Sequence, residues 1–358
     1  MSRLLVTGGA GFIGTNFVYY WLDSHPSDRI VVFDALTYAG NRSSLDSAFH
    51  SSAFRFVRGD INDQNNVRQL LVEECIDTIV NFAAETHVDR SIEGPDDFIK
   101  ANILGTHALL KAARSVWLDG SRGTIQHRFH QVSTDEVYGS LAPEGLPFTE
   151  VTPYAPNSPY AASKAASDHL VRAYHRSYGL QVTTSNCSNN FGAYQFPEKL
   201  LPLFIINILI GQPLPIYGDG SNIRDWLYVQ DHCRAIDLVL RAGRVGECYN
   251  IGGGAERRNL DMAHSLCRLI DEMFKSNLDL RVRFPSSPAV HGESASLIKF
   301  VRDRPGHDHR YSVNTAKIVA DLGYKVCNSF ETDLQQTVTW YVDNENWWRG
   351  IIDGSYRR

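Results

Sequence analysis

The segment TGGAGFIG at residues 7–14 constrains the fold more than any other stretch of the chain. It joins a short β-rich run at 4–7 to a helical pattern at 12–24, so Gly8, Gly11 and Gly14 fall where a strand turns directly into a helix. Residues without a side chain permit so tight a turn, and they let an anionic group approach the backbone N–H groups at the helix N-terminus. Phe12 and Ile13 lie within the same turn. The spacing is G-x-x-G-x-x-G, which departs from the usual G-x-G-x-x-G pattern, and alone it describes only a glycine-rich turn.

Context gives the turn its meaning. Short β-rich runs at 4–7, 29–33, 54–58, 78–83 and 129–133 alternate with helical patterns at 12–24, 67–74 and about 95–117. Such alternation predicts βαβ units and a parallel sheet covered on both faces. A helix over 160–178, stopped by Gly179, and a strand over 181–185 complete an α/β, Rossmann-type doubly wound domain. Beyond it, Gly/Pro-punctuated segments at 192–197, 211–215, 218–220 and 252–254 point to a smaller, interleaved C-terminal lobe. The stretch 226–240 reads as strand then helix, and the expectation is that 226–252 returns to the first domain. The expected division is therefore 1–190 with 226–252 for a dinucleotide, and 191–225 with 253–358 for the substrate. Residues 285–296, rich in Ser and small side chains, are expected to form a surface loop.

The second strand ends at Asp34, 20 residues after Gly14, where a carboxylate accepts hydrogen bonds from adenosine ribose hydroxyls. An anion there repels a 2′-phosphate, so the expected cofactor is NAD rather than NADP. Leu36 and Thr37 follow it, while Asp60-Ile61 and Phe82-Ala83-Ala84 end the third and fourth strands, whose carboxyl ends face the ligand crevice of open α/β sheets.

Composition narrows the partners. The 358 residues are 43% hydrophobic and 21% charged, enough for a large core, and the formal charge of −5 without a dense Lys/Arg run argues against nucleic acid or an anionic membrane. The longest apolar stretch, 200–210, is broken by Pro202 and Asn207 and is too short to span a bilayer. Met1 runs straight into the apolar segment 4–6, from which a cytoplasmic location is expected. The six cysteines form no C-x-x-C pair, and the 13 histidines include no H-E-x-x-H, so reduced thiols and no metal site are expected.

Tyr160 and Lys164, four apart at the start of a helix, share one face. An ammonium beside a phenol favours phenolate and lowers its pKa from about 10, which makes Tyr160 a general base. On many helices this spacing is only a solvated face. What distinguishes this one is Thr134-Asp135-Glu136 at the end of the preceding strand, a hydroxyl and two adjacent carboxylates aimed at the same crevice.

Together these elements resemble the extended short-chain dehydrogenase/reductase superfamily. Within it, the run VSTDEVYG at 132–139 is similar to that of the dTDP-glucose 4,6-dehydratases. So are AAETHVDRSI at 83–92, SNN at 188–190, FPEKL at 196–200, PIY at 215–217, RDW at 224–226, NIGG at 250–253 and DRPGH at 303–307. Three positions depart from the family pattern: Thr86 stands for Ser, Ala101 for Thr and Ala193 for Pro. The hydroxyl survives at Thr86, whereas Ala101 loses one possible cofactor hydrogen bond.

The resemblance implies a retained NAD and a dTDP-hexose substrate, with Tyr160, Lys164, Thr134, Asp135 and Glu136 catalytic. Thr86 and Asn190 would join the cofactor contacts. Thr86, Thr134 and Asn189 would meet the sugar; Lys199, Leu200, Pro215, Ile216 and Tyr217 would line the nucleotide side; Arg224, Asn259, Arg304 and His307 would reach the diphosphate and nucleoside. It also implies a homodimer through helices 96–116 and 160–178, although burial inside one subunit explains the same apolar faces. A 4-epimerase or decarboxylase of the superfamily would share Tyr160 and Lys164 but not the acids at 135 and 136, and a non-enzymatic NAD-binding regulator would need none of the four.

Overall fold

The computed structural model describes residues 1–120, 126–304 and 306–357. Its strands are β1 (Arg3–Thr7), β2 (Arg29–Asp34), β3 (Phe54–Arg58), β4 (Thr78–Asn81), β5 (Arg128–Thr134), β6 (Val182–Cys187), β7 (Asn189–Phe191), β8 (Leu214–Tyr217), β9 (Ile223–Tyr228), β10 (Cys248–Ile251), β11 (Glu256–Arg258) and β12 (Ile298–Val301). Seven of them make one sheet in the order β10-β6-β5-β4-β1-β2-β3, and every pairing in it is parallel. The order reverses at β1, and at such a reversal the loops leaving adjacent strands part to open a crevice beyond the carboxyl ends.

Alternation along β1 explains why both faces are covered. Leu4 and Val6 pack with Phe17, Trp21 and Val32 on one side, and Leu5 packs with Phe33, Leu109, Leu110 and Trp117 on the other. Each such side chain, fully buried, is worth about 1.5–3 kcal/mol, so the strand has no face to offer water. The helix Phe12–Ser24 starts directly at the glycine turn. The helix Pro159–Tyr178 starts where Ser158 Oγ accepts the Ala161 N–H at 3.1 Å, and it stops at Gly179, whose φ of 77° is left-handed.

The helical run expected over 95–117 is continuous, but its middle, Ile99–Gly105, is wound as a π-helix between Asp96–Phe98 and Thr106–Trp117. Wide turns of this kind concentrate at functional sites. Here the widening carries Asn102, whose amide donates to Glu85 O at 3.0 Å and Ser163 Oγ at 2.8 Å and accepts the Glu85 N–H at 2.9 Å. The loop after β4 is thereby pinned to the helix Pro159–Tyr178.

A second lobe has its own core around Phe204, Ile208, Leu266, Phe274, Tyr341 and Trp348, with two small sheets, β11-β9-β7 and β12-β8. Two expectations change. The strand read at the start of 226–240 does not join the large sheet; β9 pairs with β7 and β11, because β10 already holds the edge beside β6. The following helix, Val229–Ala242, does pack on Phe12–Ser24, and β10 does join the large sheet. Residues 285–296 are not a bare surface loop but two 3-10 turns, Pro288–Val290 and Ser294–Leu297. Their small residues fit against neighbouring helices: Ala289 is buried, Ser287 Oγ donates to Ile208 O at 2.7 Å, and Ser294 Oγ donates to Asp271 Oδ1 at 2.5 Å.

The C-terminal segment returns to the first lobe, where Trp347 Nε1 donates to Ser44 Oγ at 3.0 Å and the Tyr356 hydroxyl to Tyr38 O at 2.5 Å. Among the described residues no helix is long and apolar enough to cross a membrane, and no group of His, Cys, Asp and Glu side chains is arranged to hold a metal ion.

Candidate active site

The carboxyl ends of β1, β2, β4, β5 and β6 open into one cleft of about 830 Å³. Gly8, Gly11, Phe12, Ile13, Gly14, Asp34, Thr37, Asp60, Ile61, Phe82, Ala83, Ala84 and Thr86 line one side. Leu36 is not in the lining; it stands behind the wall at φ 55°, its N–H donated to Asp34 Oδ1 at 2.8 Å.

The cradle is steric. A Cβ on Gly8, at φ 68°, would meet Ala83 N at 2.6 Å, and one on Gly14 would meet Gly8 O at 2.3 Å. Any side chain there would push the turn off the helix N-terminus. Asp34 is buried and accepts the N–H groups of Ala10 at 2.9 Å and Leu36 at 2.8 Å. Burial pushes its carboxyl above the ordinary range, and those two backbone bonds pull it back. A carboxylate offers about four acceptor positions, so two are left for ribose hydroxyls. A dinucleotide such as NAD, with a pyrophosphate and a free 2′-hydroxyl, fits this set of groups.

The opposite side brings together Thr134, Asp135, Glu136, Tyr160, Lys164, Asn189, Asn190 and Lys199. After β5 the chain makes a single 3-10 turn, Asp135–Tyr138, capped where Thr134 Oγ1 accepts the Glu136 N–H at 3.3 Å. That turn places both acids in the cleft. Asp135 is buried and its Oδ2 has no protein partner. Burial, then the charges of Glu136 and Asp225, push its carboxyl well above the ordinary value. Glu136 is raised by burial too, but Arg304, Arg224 and Lys199 pull it down. One acid is thus held towards the protonated form while its neighbour is surrounded by cations, which suits a proton donor beside a proton acceptor.

Tyr160 and Lys164 differ from the expectation in one respect. Burial, followed by Glu136, holds the Tyr160 phenol well above its usual value, and the hydrogen bond with Thr134 works the other way. The Lys164 ammonium does not donate to the phenol; it donates to Val132 O at 2.7 Å. Burial lowers Lys164, and Asp168 opposes that. Helical spacing alone left out Glu136, whose charge faces the phenol.

The remaining predicted contacts separate. Lys199 is drawn into the cleft and donates to Thr86 O at 3.1 Å. Arg224 is buried, donates to Asp308 O at 3.0 Å and lies over the Tyr311 ring at 4.4 Å. Arg304 pairs with Asp89 at 3.5 Å. Tyr217 meets the His307 ring edge-on at 6.1 Å, and His307 Nδ1 binds Asp303 Oδ1 at 2.6 Å. Asn259 is buried with its Oδ1 lacking a partner. Leu200 packs against the second lobe's core and the Ile216 side chain lies within it at 1% exposed, while Pro215 and Tyr217 alternate to the other face of β8. Apart from Lys199, which lines the cleft, none of this set does, and of the others Arg224 and Arg304 reach Glu136 through their charge. Pro305 of the DRPGH run lies outside the described residues.

Several residues at the site carried no sequence signal strong enough to single them out. Asp168 extends the Tyr160–Lys164 face by one more turn, so a Y-x-x-x-K-x-x-x-D pattern would have found it. Arg90 lies over the Tyr38 ring at 4.0 Å and pairs with Glu198 at 3.1 Å, bridging the lobes beside the cleft, and no local pattern links those three.

Comparison with known proteins agrees with this geometry. Residues 5–337 match the model of the GDP-mannose 4,6 dehydratase family. The dTDP-glucose 4,6-dehydratase of Xanthomonas campestris pv. campestris (strain B100) is 52% identical over 100% of this chain and 98% of its own length, and that of Escherichia coli is 47% identical over 99% and 97%. Among solved structures, the dTDP-glucose 4,6-dehydratase DesIV from Streptomyces venezuelae, with NAD and dTDP bound, is 46% identical at a TM-score of 0.86, covering 98% of this chain and 99% of that one. The UDP-glucose 4-epimerase of Thermus thermophilus, in complex with NAD, is 27% identical at a TM-score of 0.80 over 96% and 99%. With its parallel sheet, glycine cradle and paired acids, the chain belongs to the GDP-mannose 4,6-dehydratase family, among the dTDP-glucose 4,6-dehydratases.

Proposed function

We infer that the protein is a dTDP-glucose 4,6-dehydratase, an NAD-dependent hydro-lyase that converts dTDP-glucose to dTDP-4-keto-6-deoxyglucose and water. The observation that carries this reading is the unequal pair Asp135 and Glu136 at the end of β5, in one cleft with Tyr160 and Lys164. An epimerase has no step that needs both a carboxylic acid and a carboxylate at that place.

Bound NAD supplies the two-electron acceptor at sugar C4 and the donor at C6, so no net oxidation occurs and the cofactor stays with the protein. Tyr160 accepts the proton of the sugar 4-hydroxyl, with Thr134 hydrogen-bonded to the same oxygen. The resulting 4-ketone acidifies the C5 proton, which Glu136 removes. Asp135 protonates the departing 6-hydroxyl, and water is lost across C5 and C6. Glu136 returns its proton to C5, and the proton that Tyr160 took from the 4-hydroxyl makes good the one Asp135 gave to the leaving water, which completes the product. Thr86 and Asn189 belong at the sugar end and Asn190 at the cofactor. Lys199, Arg224 and Arg304 supply the positive charge that a diphosphate needs, and Arg does so through a fork of donors. Leu200, Pro215, Ile216, Tyr217, Asn259 and His307 belong on the nucleoside side, Ile216 through its backbone.

The same reading assigns 1–190 and 229–252 to NAD and 191–228 with 253–358 to the sugar nucleotide, supported by the pairing of β9 with β7 and β11. Six free cysteines suit a reducing cytoplasm. Exposed Ile99 and Leu104, in the π-helical run beside Pro159–Tyr178, suit a homodimer contact, which sedimentation would test.

The deciding experiment gives the purified protein dTDP-glucose or UDP-glucose and follows the product. A 4-keto-6-deoxy sugar from dTDP-glucose, with deuterium placed at C4 recovered at C6, is expected. Epimerised hexose, or deuterium lost to solvent, overturns the assignment.

A further inference from the structure

The helix Pro159–Tyr178 carries a third buried ionisable group on its Tyr160–Lys164 face. Asp168 is one turn beyond Lys164 and buried like it. Its Oδ2 accepts the Ser133 hydroxyl at 2.5 Å and the Tyr154 hydroxyl at 3.4 Å, while its Oδ1 is buried without any hydrogen-bond partner. Ser133 follows Val132, whose carbonyl takes the Lys164 ammonium at 2.7 Å. Lys164 and Asp168 therefore grip adjacent residues of β5, immediately before Thr134, Asp135 and Glu136.

A buried carboxylate with one unpaired oxygen is costly unless a cation compensates it, and a buried ammonium with one neutral acceptor has the mirror-image problem. Each is the other's remedy. The groups that act on the two are otherwise uncharged: Ser133 on β5, Tyr154 from the loop before the helix, Cys187 on β6 and Cys248 on β10. Both thiols are held protonated by burial, Cys187 up to about 12, and Tyr154 is pushed far above its usual value. Glu136 faces Tyr160 from the β5 side, and its charge opposes a phenolate. Positive charge on the helix side is what offsets it.

We propose that Asp168 is a positioning residue for the first proton transfer: its carboxylate keeps Lys164 charged and docked on the β5 carbonyl, and through Lys164 it supports the Tyr160 phenolate. The inference rests on the dehydratase reading, in which Tyr160 acts as base. Asp168 itself is pushed up to about 6, chiefly by burial and against the pull of Lys164, so the support is present above that pH and fades below it. The sign is clear: when Asp168 becomes neutral, Lys164 loses charge more easily and Tyr160 needs a higher pH to ionise.

The test measures how fast C4 oxidation proceeds with dTDP-glucose across pH, read as reduced-nicotinamide absorbance in single turnovers of the NAD-loaded enzyme. For D168N the acid limb should move up by about one pH unit, a tenfold loss at neutral pH that is recovered in alkali, with NAD content and the KM for dTDP-glucose unchanged. S133A, which keeps the charge but removes its short donor, should move the limb in the same direction by less. It also serves if D168N fails to fold. A uniform loss at every pH, or no change in the limb in the folded variants, overturns the proposal. If the wild-type protein makes no 4-keto-6-deoxy sugar, the functional assignment fails instead, and the two failures are told apart.

Discussion

Where the cleft meets β1 and β2 its surface is backbone: a glycine turn, a helix N-terminus, and one carboxylate tied to two main-chain N–H groups. Where it meets the second lobe its surface is side chains. Lys199 lines it, Arg224 and Arg304 stand behind it, and the three, from separate segments, act together on Glu136. The first wall is rigid because the sheet that makes it is buried on both faces. The second is assembled only when two lobes pack, and each cation is held by its own carbonyl or acid: Thr86 O, Asp308 O and Asp89. The proposed function puts a cofactor that must stay bound through the cycle on the first kind of wall, and a substrate that must come and go on the second.

The comparison breaks most severely if the backbone wall tolerates a side chain. Gly14→Val puts methyl groups into space where even a Cβ would stand 2.3 Å from Gly8 O. The variant is expected to purify without NAD and without activity, as measured by nucleotide released on denaturation. A Gly14→Val protein that keeps its NAD would show that the turn is not the cradle.

A smaller but still large effect is expected at the acids. Glu136→Gln and Asp135→Asn should each lower kcat by roughly 10²–10⁴, the range for a general base or acid, with NAD content unchanged. Their pH behaviour follows from the shifts. Glu136 must be ionised, so the rate falls as pH drops through its raised pKa; Asp135 must be protonated, so the rate falls as pH rises through its own, higher one. The wild-type profile for elimination is expected to be a bell, with Asp135→Asn deleting the alkaline limb and Glu136→Gln the acid limb. Equal loss of NAD and of rate would move the acids to the cofactor wall.

Legibility in the sequence follows the same division. The wall at β1 and β2 is encoded by local residues whose spacing is dictated by backbone sterics, so the places of Gly8, Gly11, Gly14 and Asp34 beside the cleft could be read without a structure, as could the helix Phe12–Ser24 to its last residue. Tyr160, Lys164 and the 134–136 run were readable because each is local to one element. What was not readable depends on packing between elements. Ile216 looked like a contact but its side chain belongs to a core. β9 looked like a strand of the large sheet, but a strand's partner is set by which edge remains free, and β10 had taken that edge. The phenol of Tyr160 was expected to be lowered by its helical neighbour, whereas burial, joined by the charge of Glu136 from another element, pushes it up.

The smallest expected effect sharpens the comparison at the joint between the lobes. Arg310 grips Glu256 of β11 with two donors, Nε to Oε2 at 2.6 Å and Nη2 to Oε1 at 2.9 Å, and also donates to Gly145 O at 2.7 Å in the loop that follows the catalytic turn. Both residues of the fork belong to the second lobe, and the fork aims Arg310 at Gly145, the bond that ties this lobe to the loop after the acids. The hydrogen bonds from Arg310 hold Glu256 below the usual carboxylate range, so its contribution to stability is complete above the unfolded pKa and disappears as pH falls through the lower, folded one. Because Glu256 is about one-third exposed, solvent screening keeps the fork near the lower end for a two-pronged pair, about 1 kcal/mol. Glu256→Gln is therefore expected to lower Tm by about 2 °C near neutral pH and by nothing measurable once Glu256 is protonated in the wild type. If the two walls are built independently, the same variant raises the KM for dTDP-glucose while its NAD stays in place. Release of NAD from Glu256→Gln would mean that the side-chain wall holds the cofactor as well, and the distinction between the two halves would have to be given up.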